Sequence, residues 1–466
     1  MKPLDRDILR LAVPALGALI AEPLFLLADT AMIGHLGAES LGGLAIATTV
    51  LQTVIGLMIF LAFATTPRVA KRVGAGDVPG AVSAGFDGMW LSVLTSAVLL
   101  AGGLPLLGPV VAAFGPSPEV EREALSYLTI SWWGLPFMLL VIAATGLLRG
   151  LQDTKTPLLV AGLGFGANIG LNAILIYGLG LGVAGSALGS VIAQAGMAAV
   201  YLVIAFRAAA RHGASLAPHW AGVWSSAKTS GWLLVRSAAL RAALVLLVFT
   251  ATGLGTTQLA AVQIVQTLFF ALALALDALA IAGQALVALR LGAADAERAI
   301  AVTRRLTGWG ICFGAACGLL LALGAAWVPL AFTQDPAVQA LTSTLVVVLA
   351  LSLPLAGYVF VLDGVLMGAE DARYLALAQV VSFALFAAAL WLLTSGGANS
   401  APGSEGLGAE GLGNGAAPVL FGHSLAGAAG IWAAFVFVFM GARALTLGFR
   451  ARGRRWIDRA LARGIR

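Results

Sequence analysis

The sequence predicts an all-α polytopic membrane protein with twelve transmembrane helices in two parallel six-helix repeats. Three observations support this fold class: the composition, the length of the apolar runs and the recurrence of short motifs at a constant offset. Of the 466 residues, 60% are hydrophobic and 10% are charged, and the mean hydropathy is +0.98. Soluble domains carry about 25% charged residues, so the composition excludes a soluble globular protein.

The apolar runs have the length that a helix needs to cross a bilayer, about 20 residues. The first run follows Lys2, Arg6 and Arg10 with no small-residue cleavage site, so we expect a retained helix rather than a signal peptide. In chain order the predicted spans are 8–32, 42–66, 83–114, 124–148, 157–178, 182–207, 226–250, 258–284, 305–332, 338–366, 373–394 and 425–447.

Basic residues alternate between the connections in a way that orients the spans. All but three of the 27 Lys and Arg residues fall in even-numbered connections or near the termini, the exceptions being Arg122, Arg236 and Arg241. Because Lys and Arg concentrate in cytoplasmic loops, we expect both termini in the cytoplasm and the chain in the plasma membrane. The basic tail, residues 448–466, is expected to contact anionic lipid headgroups rather than nucleic acid.

The two halves of the chain are related by an internal duplication. Pairs separated by 218 residues include Gly74 and Gly292, Asp77 and Asp295, Pro136 and Pro354, and Gly150 and Gly368. Six spans per repeat give both halves the same orientation, related by an axis along the membrane normal. The predicted units are an N-terminal lobe (1–207), a cytoplasmic connection (208–225), a C-terminal lobe (226–447) and the tail, with a flexible, Gly-rich extracytoplasmic insertion at 396–423.

Five stretches in the right order resemble the MATE (multidrug and toxic compound extrusion) family, and its DinF-like branch most closely. They are DTAMIGHLG from Asp29, VAKRVGAGD from Val69, LLRGLQDTKTPL from Leu147, GVAGSALGSVIAQ from Gly182 and LDGVLMGAED from Leu362. The resemblance implies a V-shaped, two-lobed antiporter. It also implies exchange of inward-flowing H⁺ or Na⁺ for an outgoing, usually cationic and amphipathic compound, with the span 1 Asp as a coupling residue.

The charges inside the N-terminal spans have no counterpart in the other repeat. Glu22 and Asp29 lie seven residues apart, on one helix face, and at the 218-residue offset they align with Leu240 and Leu247. Pro23 lies between them and removes a backbone hydrogen bond, so it is a candidate hinge. A charge retained in one repeat only indicates a specialised function in that lobe, although Asp29 could instead satisfy a helix end.

In span 5, Asn168 and Asn172 share a face at the depth of Asp29. The family resemblance implies an Asp where Asn172 stands. With one carboxyl fewer, coupling by H⁺ through Asp29, with or without Glu22, is favoured over a Na⁺ site, and Na⁺ stays an alternative. We predict no other cofactor and no metal site. Cys312 and Cys317 point to different helix faces, so we expect them to be buried packing residues rather than a disulfide or metal ligands.

The C-terminal spans contain a second set of charges in their cytoplasmic halves. Because an unpaired Arg is costly in a membrane, Arg236 is predicted to pair with Asp277 or Asp363, as a stabilising ion pair or as a substrate contact. Arg241 is placed deeper, facing the cleft or an unidentified partner, and Gln284 is a cleft candidate or an interhelical hydrogen-bonding group.

The sequence therefore predicts a monomeric secondary efflux transporter that exports small organic compounds in exchange for protons by alternating access across the lipid bilayer. Two alternatives remain, a Na⁺-coupled antiporter and a flippase for a lipid-linked precursor, which would favour a more cationic cleft. A membrane enzyme is not favoured, because no nucleophile–base set or metal-ligand spacing is present.

Overall fold

The computed structural model describes residues 3–397, 419–420, 423–424 and 427–462. Within them, twelve helical segments are long and apolar enough to cross a membrane, which confirms the predicted all-α fold and the number of spans. The predicted insertion 396–423 lies almost entirely outside the described residues. Its described part includes two short antiparallel strands, Val419–Leu420 and His423–Ser424.

Several spans contain more than one helical segment. Spans 1 to 6 are Pro3–Gly34; Ala38–Met58 with Phe60–Gly74; Val78–Gly103, Leu104–Leu106 and Leu107–Ala112; Pro118–Gly150; Lys155–Ala173 with Ile174–Gly178; and Gly182–His212. Spans 7 to 12 are Trp220–Gly253; Thr256–Gly292; Ala296–Leu323, followed by the short turn Val328–Ala331; Pro336–Gly368; Ala372–Gly397; and Ala428–Ala433, Ala434–Phe439 and Met440–Arg452. A last helix, Arg455–Ala462, follows span 12.

The duplication is visible in the local backbone as well as in the sequence. Asp77 caps span 3 by accepting from Gly80 N at 2.8 Å, and Asp295 caps span 9 by accepting from Arg298 N at 3.0 Å. Left-handed residues also recur at the 218-residue offset: Gly37 and Gly255, Gly76 and Ala294, and Gln152 and Glu370. Equivalent caps and turns show that each repeat starts and ends its helices by the same local chemistry.

The lobes meet at the ends of the spans where basic residues concentrate, called here the basic end. A Cβ at Gly74 would collide with the Leu289 carbonyl, and a Cβ at Gly292 would collide with the Lys71 carbonyl. These two glycines are equivalent in the repeats, so spans 2 and 8 approach each other symmetrically. Gln152 adds a contact across the lobes, because its Nε2 donates to the Ala285 carbonyl at 3.2 Å.

Two sequence-based expectations need correction. Spans 6 and 7 extend into the predicted connection 208–225, which shortens it to 213–219, because both helices continue in polar sequence beyond the apolar runs. The described part of the tail packs onto the protein: Trp456 and Ile457 are buried in the apolar core, and Lys71 donates to the Ala460 carbonyl at 2.6 Å. Its contact with anionic lipid stays a prediction.

The second correction concerns the cysteines. Cys312 is exposed and Cys317 only half-buried, and both are free thiols. Cys312 points away from the protein core, whereas Cys317 packs against its edge. A small apolar side chain is compatible with both surroundings.

Candidate functional site

Asp29 accepts hydrogen bonds from three neutral side chains on three other spans. Asn172 Nδ2 donates to Oδ1 at 2.9 Å, Tyr127 OH donates to Oδ2 at 3.3 Å, and the Ser186 hydroxyl also donates to Oδ1. The Asp29 residue is 2% exposed. Among the described residues, no Lys, Arg or His forms an ion pair with it, so this carboxyl is solvated by neutral dipoles alone.

The two span 5 asparagines continue this cluster away from Asp29. Asn172 Nδ2 also lies 3.2 Å from Asn168 Oδ1, and Asn168 Nδ2 donates to Ser190 Oγ at 3.1 Å. Asn172 Oδ1 faces Gly189, where a Cβ would leave it no room, and it has no hydrogen-bond partner within the described part of the chain. The structure thus brings Asp29, Asn168 and Asn172 together, and Asn172 is the direct neighbour.

Along spans 5 and 6 this polar cluster separates two apolar cores of the N-terminal lobe. Val160 and Met197 belong to one core, whereas Ile176 and Val183 belong to the other. The lobe therefore packs as two apolar layers with a polar layer between them. Hydrogen-bonding groups buried in this way are satisfied mainly by each other.

Glu22 lies outside the Asp29 hydrogen-bond cluster. Its side chain hydrogen-bonds Gln52 of span 2. Gln52 and Tyr127 both line a cavity of about 60 Å³, together with the hydroxyl-bearing Ser131 and Ser190. This cavity therefore borders one hydrogen-bond partner of each of the two acids of span 1.

Pro23 does not interrupt span 1. The helix continues from Pro3 to Gly34 through both of its internal prolines. The missing backbone donor at Pro23 leaves a weak point without a visible break. The role of Pro23 as a hinge stays a prediction.

In the C-terminal lobe, Arg236 pairs with Asp363. The Arg236 guanidinium contacts both carboxylate oxygens of Asp363, with Nε 3.3 Å from Oδ1. A second guanidinium, that of Arg443 in span 12, lies 3.4 Å from Asp363 Oδ2. Two largely buried arginines therefore share one carboxylate, and Arg443 is a partner of Asp363 that the sequence analysis did not identify.

Asp277 lies near this pair but forms no ion pair within 4.0 Å among the described residues. Its carboxyl interacts electrostatically with Arg236 and Arg443 in its own lobe and with Arg149 of the N-terminal lobe. Asp277 therefore interacts with charges of both lobes.

The two remaining candidates lie where the lobes face each other. Gln284 is buried and its Nε2 donates to the Phe63 carbonyl of span 2 at 2.7 Å, which makes it an interhelical hydrogen-bonding group. Arg241 is exposed, and its guanidinium lies against Gly56 of span 2. It forms no ion pair with any residue in the described ranges.

The sequence profile of the MatE family matches this chain twice, over residues 14–174 and 235–392. Together the two matches cover more than half of the chain. The chain belongs to the MatE family. The two matches end at positions 218 residues apart, which is the offset of the internal duplication. Members of this family are membrane transporters rather than enzymes.

Curated relatives of this MatE protein come from plants and bacteria. It is 32% identical over 399 residues to Protein DETOXIFICATION 44, chloroplastic, from Arabidopsis thaliana, covering 80% of this chain and 74% of the relative. It is 28% identical over 400 residues to DNA damage-inducible protein F from Escherichia coli, covering 84% and 86%. A probable multidrug resistance protein NorM from Thermotoga maritima is 28% identical over 208 residues, 43% of this chain and 44% of that protein.

Solved structures share the fold of this MatE protein. A MATE protein in a bent conformation superposes with a TM-score of 0.84 at 19% identity, covering 99% of this chain and 96% of that one. A MOP superfamily transporter from Pyrococcus furiosus has a TM-score of 0.81 at 18% identity, covering 98% and 96%. The solved structures thus support a multi-pass MATE fold for this chain.

Sequence reasoning missed several buried polar contacts of this MatE transporter. Besides Arg443, they include the Tyr127 and Ser186 hydroxyls and the ion pair of Asp371 with Arg450. Hydroxyl residues are common in apolar spans, so nothing local distinguishes these two. The sequence did contain a signal for Asp371, because the equivalent position of the N-terminal repeat is also an aspartate, Asp153. The two residues differ in their contacts, since Asp153 caps span 5 by accepting from Thr156 N at 3.0 Å.

Proposed function

We propose that this MatE transporter exports organic, cationic amphipathic compounds in exchange for protons by alternating access, with Asp29 as the coupling residue. The observation that carries the proposal is the neutral surrounding of Asp29. Tyr127, Asn172 and Ser186 donate to its carboxyl, and no described cation pairs with it. An isolated charge inside a membrane is costly, and binding of a proton removes it.

The cavity beside Tyr127 supports a route for that proton. Glu22 contacts Gln52, Gln52 and Tyr127 line the cavity, and Tyr127 donates to Asp29. Each step in this series joins groups that can hydrogen-bond to each other or to water in the cavity. Glu22 is thus proposed as the acid at the far end of the route.

Protonation changes the hydrogen bonding that holds span 1 against spans 4, 5 and 6. A charged carboxylate only accepts, whereas a protonated one donates through one oxygen. The protonated oxygen then needs an acceptor of its own and is a weaker acceptor for the present donors, so the hydrogen bonds around Asp29 rearrange. Span 1 can respond at Pro23, where a backbone hydrogen bond is missing. Similar MATE structures have been described in bent and in straight conformations.

The other lobe supports the assignment by contrast. Asp363 has two guanidinium partners, Arg236 and Arg443. These two guanidinium groups compensate the charge of Asp363, so a structural role fits this residue best. The lobes would then differ in task, with proton binding in the N-terminal lobe and a fixed charge network in the C-terminal lobe.

One observation favours a second candidate function, that of a flippase for a lipid-linked precursor. Arg241 presents an exposed guanidinium to span 2 at Gly56, without a described counter-ion. A cation at this place would attract the phosphate of such a precursor and repel a cationic compound.

Transport by purified protein in liposomes tests these assignments. Efflux of a fluorescent lipophilic cation should be accompanied by proton movement in the opposite direction, and Asp29→Asn should abolish both the coupling and the pH-driven efflux. Asp295→Asn, at an exposed helix cap, is the matched control and should transport normally. Unchanged coupled transport in Asp29→Asn refutes the role of Asp29 as the coupling residue. A strict requirement for Na⁺ at fixed pH refutes H⁺ as the coupling ion. Transport of phosphate-bearing lipids alone supports the second candidate.

A further inference from the structure

A second and much larger cavity, of about 920 Å³, lies at the basic end between the two lobes. Spans 2 and 3 form one wall, and span 7 forms the opposite wall, with the connection before span 11 and Ala462 of the last helix. Its volume falls within the range of small-molecule pockets, about 300–1,000 Å³. It shares no residue with the Asp29 cluster or with the Arg236–Asp363 pair.

The lining of this basic-end cavity carries an excess of positive charge. Its cations outnumber its acids by five to two, which gives a formal net charge of +3 when His219 is neutral. The cations are Arg68, Lys71, Arg72, Lys228 and Arg373, and the acids are Asp87 and Glu370. A cationic compound would be repelled here, so this cavity is separate from the proposed substrate route.

The two acids are already engaged by other groups. Glu370 lies 3.5 Å from Arg68, and Asp87 accepts from the backbone N of His219 at 2.9 Å. Lys228 and Arg373 are exposed and form no ion pair with any residue in the described part of the chain. The positive charge of these two side chains is therefore available to a ligand.

The arrangement of donors specifies the class of ligand. Arg373 presents a guanidinium group, which binds phosphate oxygens in pairs, and Lys228 adds an ammonium group. The Ser225 hydroxyl accepts from Arg68 at 2.5 Å and keeps its own proton to donate to a ligand. Arg373 is positioned above the Trp232 ring, 5.7 Å from its centroid. We propose that the basic-end cavity binds a phosphate-bearing ligand, either an anionic phospholipid headgroup or a free phosphate compound.

A ligand in this cavity contacts both lobes at once. Arg68 and Arg72 belong to span 2 of the N-terminal lobe, whereas Lys228 and Arg373 belong to the C-terminal lobe. The anion neutralises cations that would otherwise repel each other across the gap between the lobes. Binding therefore stabilises the contact between the lobes at the basic end.

Thermal unfolding of the full chain in detergent tests the proposal. One series adds pyrophosphate at constant ionic strength, and another replaces phosphatidylcholine in the micelles by phosphatidylglycerol. We expect a concentration-dependent rise of the unfolding midpoint. In the double variant Lys228→Gln, Arg373→Gln, the apparent affinity should be about tenfold weaker, because two charge-assisted contacts are lost.

Matched variants separate a specific site from general charge effects. Arg207→Gln with Arg211→Gln removes two exposed cations at the same end but outside the cavity, and should respond like the wild type. Lys228→Arg with Arg373→Lys keeps the charge and should retain most of the response. A rise with pyrophosphate assigns the site to free phosphate compounds, and a rise with phosphatidylglycerol alone assigns it to a lipid headgroup. No rise with either, or an equal loss in the control variant, overturns the proposal.

Discussion

Among the described residues, Asp363 is the one carboxylate within ion-pair distance of Arg236 and Arg443, and replacing it by Asn removes that charge. Arg236 and Arg443 have side chains 11% and 5% exposed, and that of Asp363 is 7% exposed. Removing one partner of a buried ion pair costs about 3–5 kcal/mol, because the other charge stays buried without compensation. Asp277 remains near both arginines but outside ion-pair distance among the described residues, so it offsets only part of this loss.

The expected change is measurable as a shift in thermal unfolding. At about 2.1 cal/mol/K per residue, a chain of this length unfolds with about 1 kcal/mol/K of entropy, so the midpoint should fall by about 3–5 °C. The assay is thermal unfolding of the detergent-purified protein. Asp295→Asn is the control, since its partner Arg298 is 71% exposed and Asn caps a helix as well as Asp does. Equal midpoints for the two variants would refute the reasoning.

Two further substitutions test the coupling site and the contact between the lobes. Asn172→Asp places a second carboxyl at the position that now donates to Asp29 at 2.9 Å. We expect Na⁺ to stimulate transport in this variant but not in the wild type. Identical Na⁺ dependence of the two proteins would contradict the argument that the absence of this acid selects H⁺ over Na⁺ as the coupling ion. Gly292→Ala puts a Cβ against the Lys71 carbonyl, so the spin-label distance between the lobes at the basic end should increase. Gly162→Ala, with no atom within 4 Å of its Cβ, should leave that distance unchanged.

The fold was predictable because its signals are periodic or repeated. The apolar runs predicted twelve spans, and the 218-residue offset paired Asp77 with Asp295, which the structure shows to be equivalent helix caps. The helix ends at the connection after span 6 were less predictable. There the helices continue in polar sequence, which carries no apolar pattern to follow.

The candidate site was predictable only where a charge interrupts an apolar run. Asp29 and Arg236 stand out for that reason, and Asn172 was found by its spacing from Asn168. Tyr127 reaches Asp29 from 98 positions away, and Arg443 reaches Asp363 from a different span. Such contacts depend on how spans pack against each other, and no local pattern encodes them.

The central claim is that Asp29 alone carries the coupling proton. Infrared difference spectroscopy on the reconstituted protein measures this directly, through the absorption of protonated carboxyl groups. Addition of a transported cation should remove a protonated-carboxyl band in the wild type and in Glu22→Gln, and no such band change should occur in Asp29→Asn. A band change that persists in Asp29→Asn would contradict the claim.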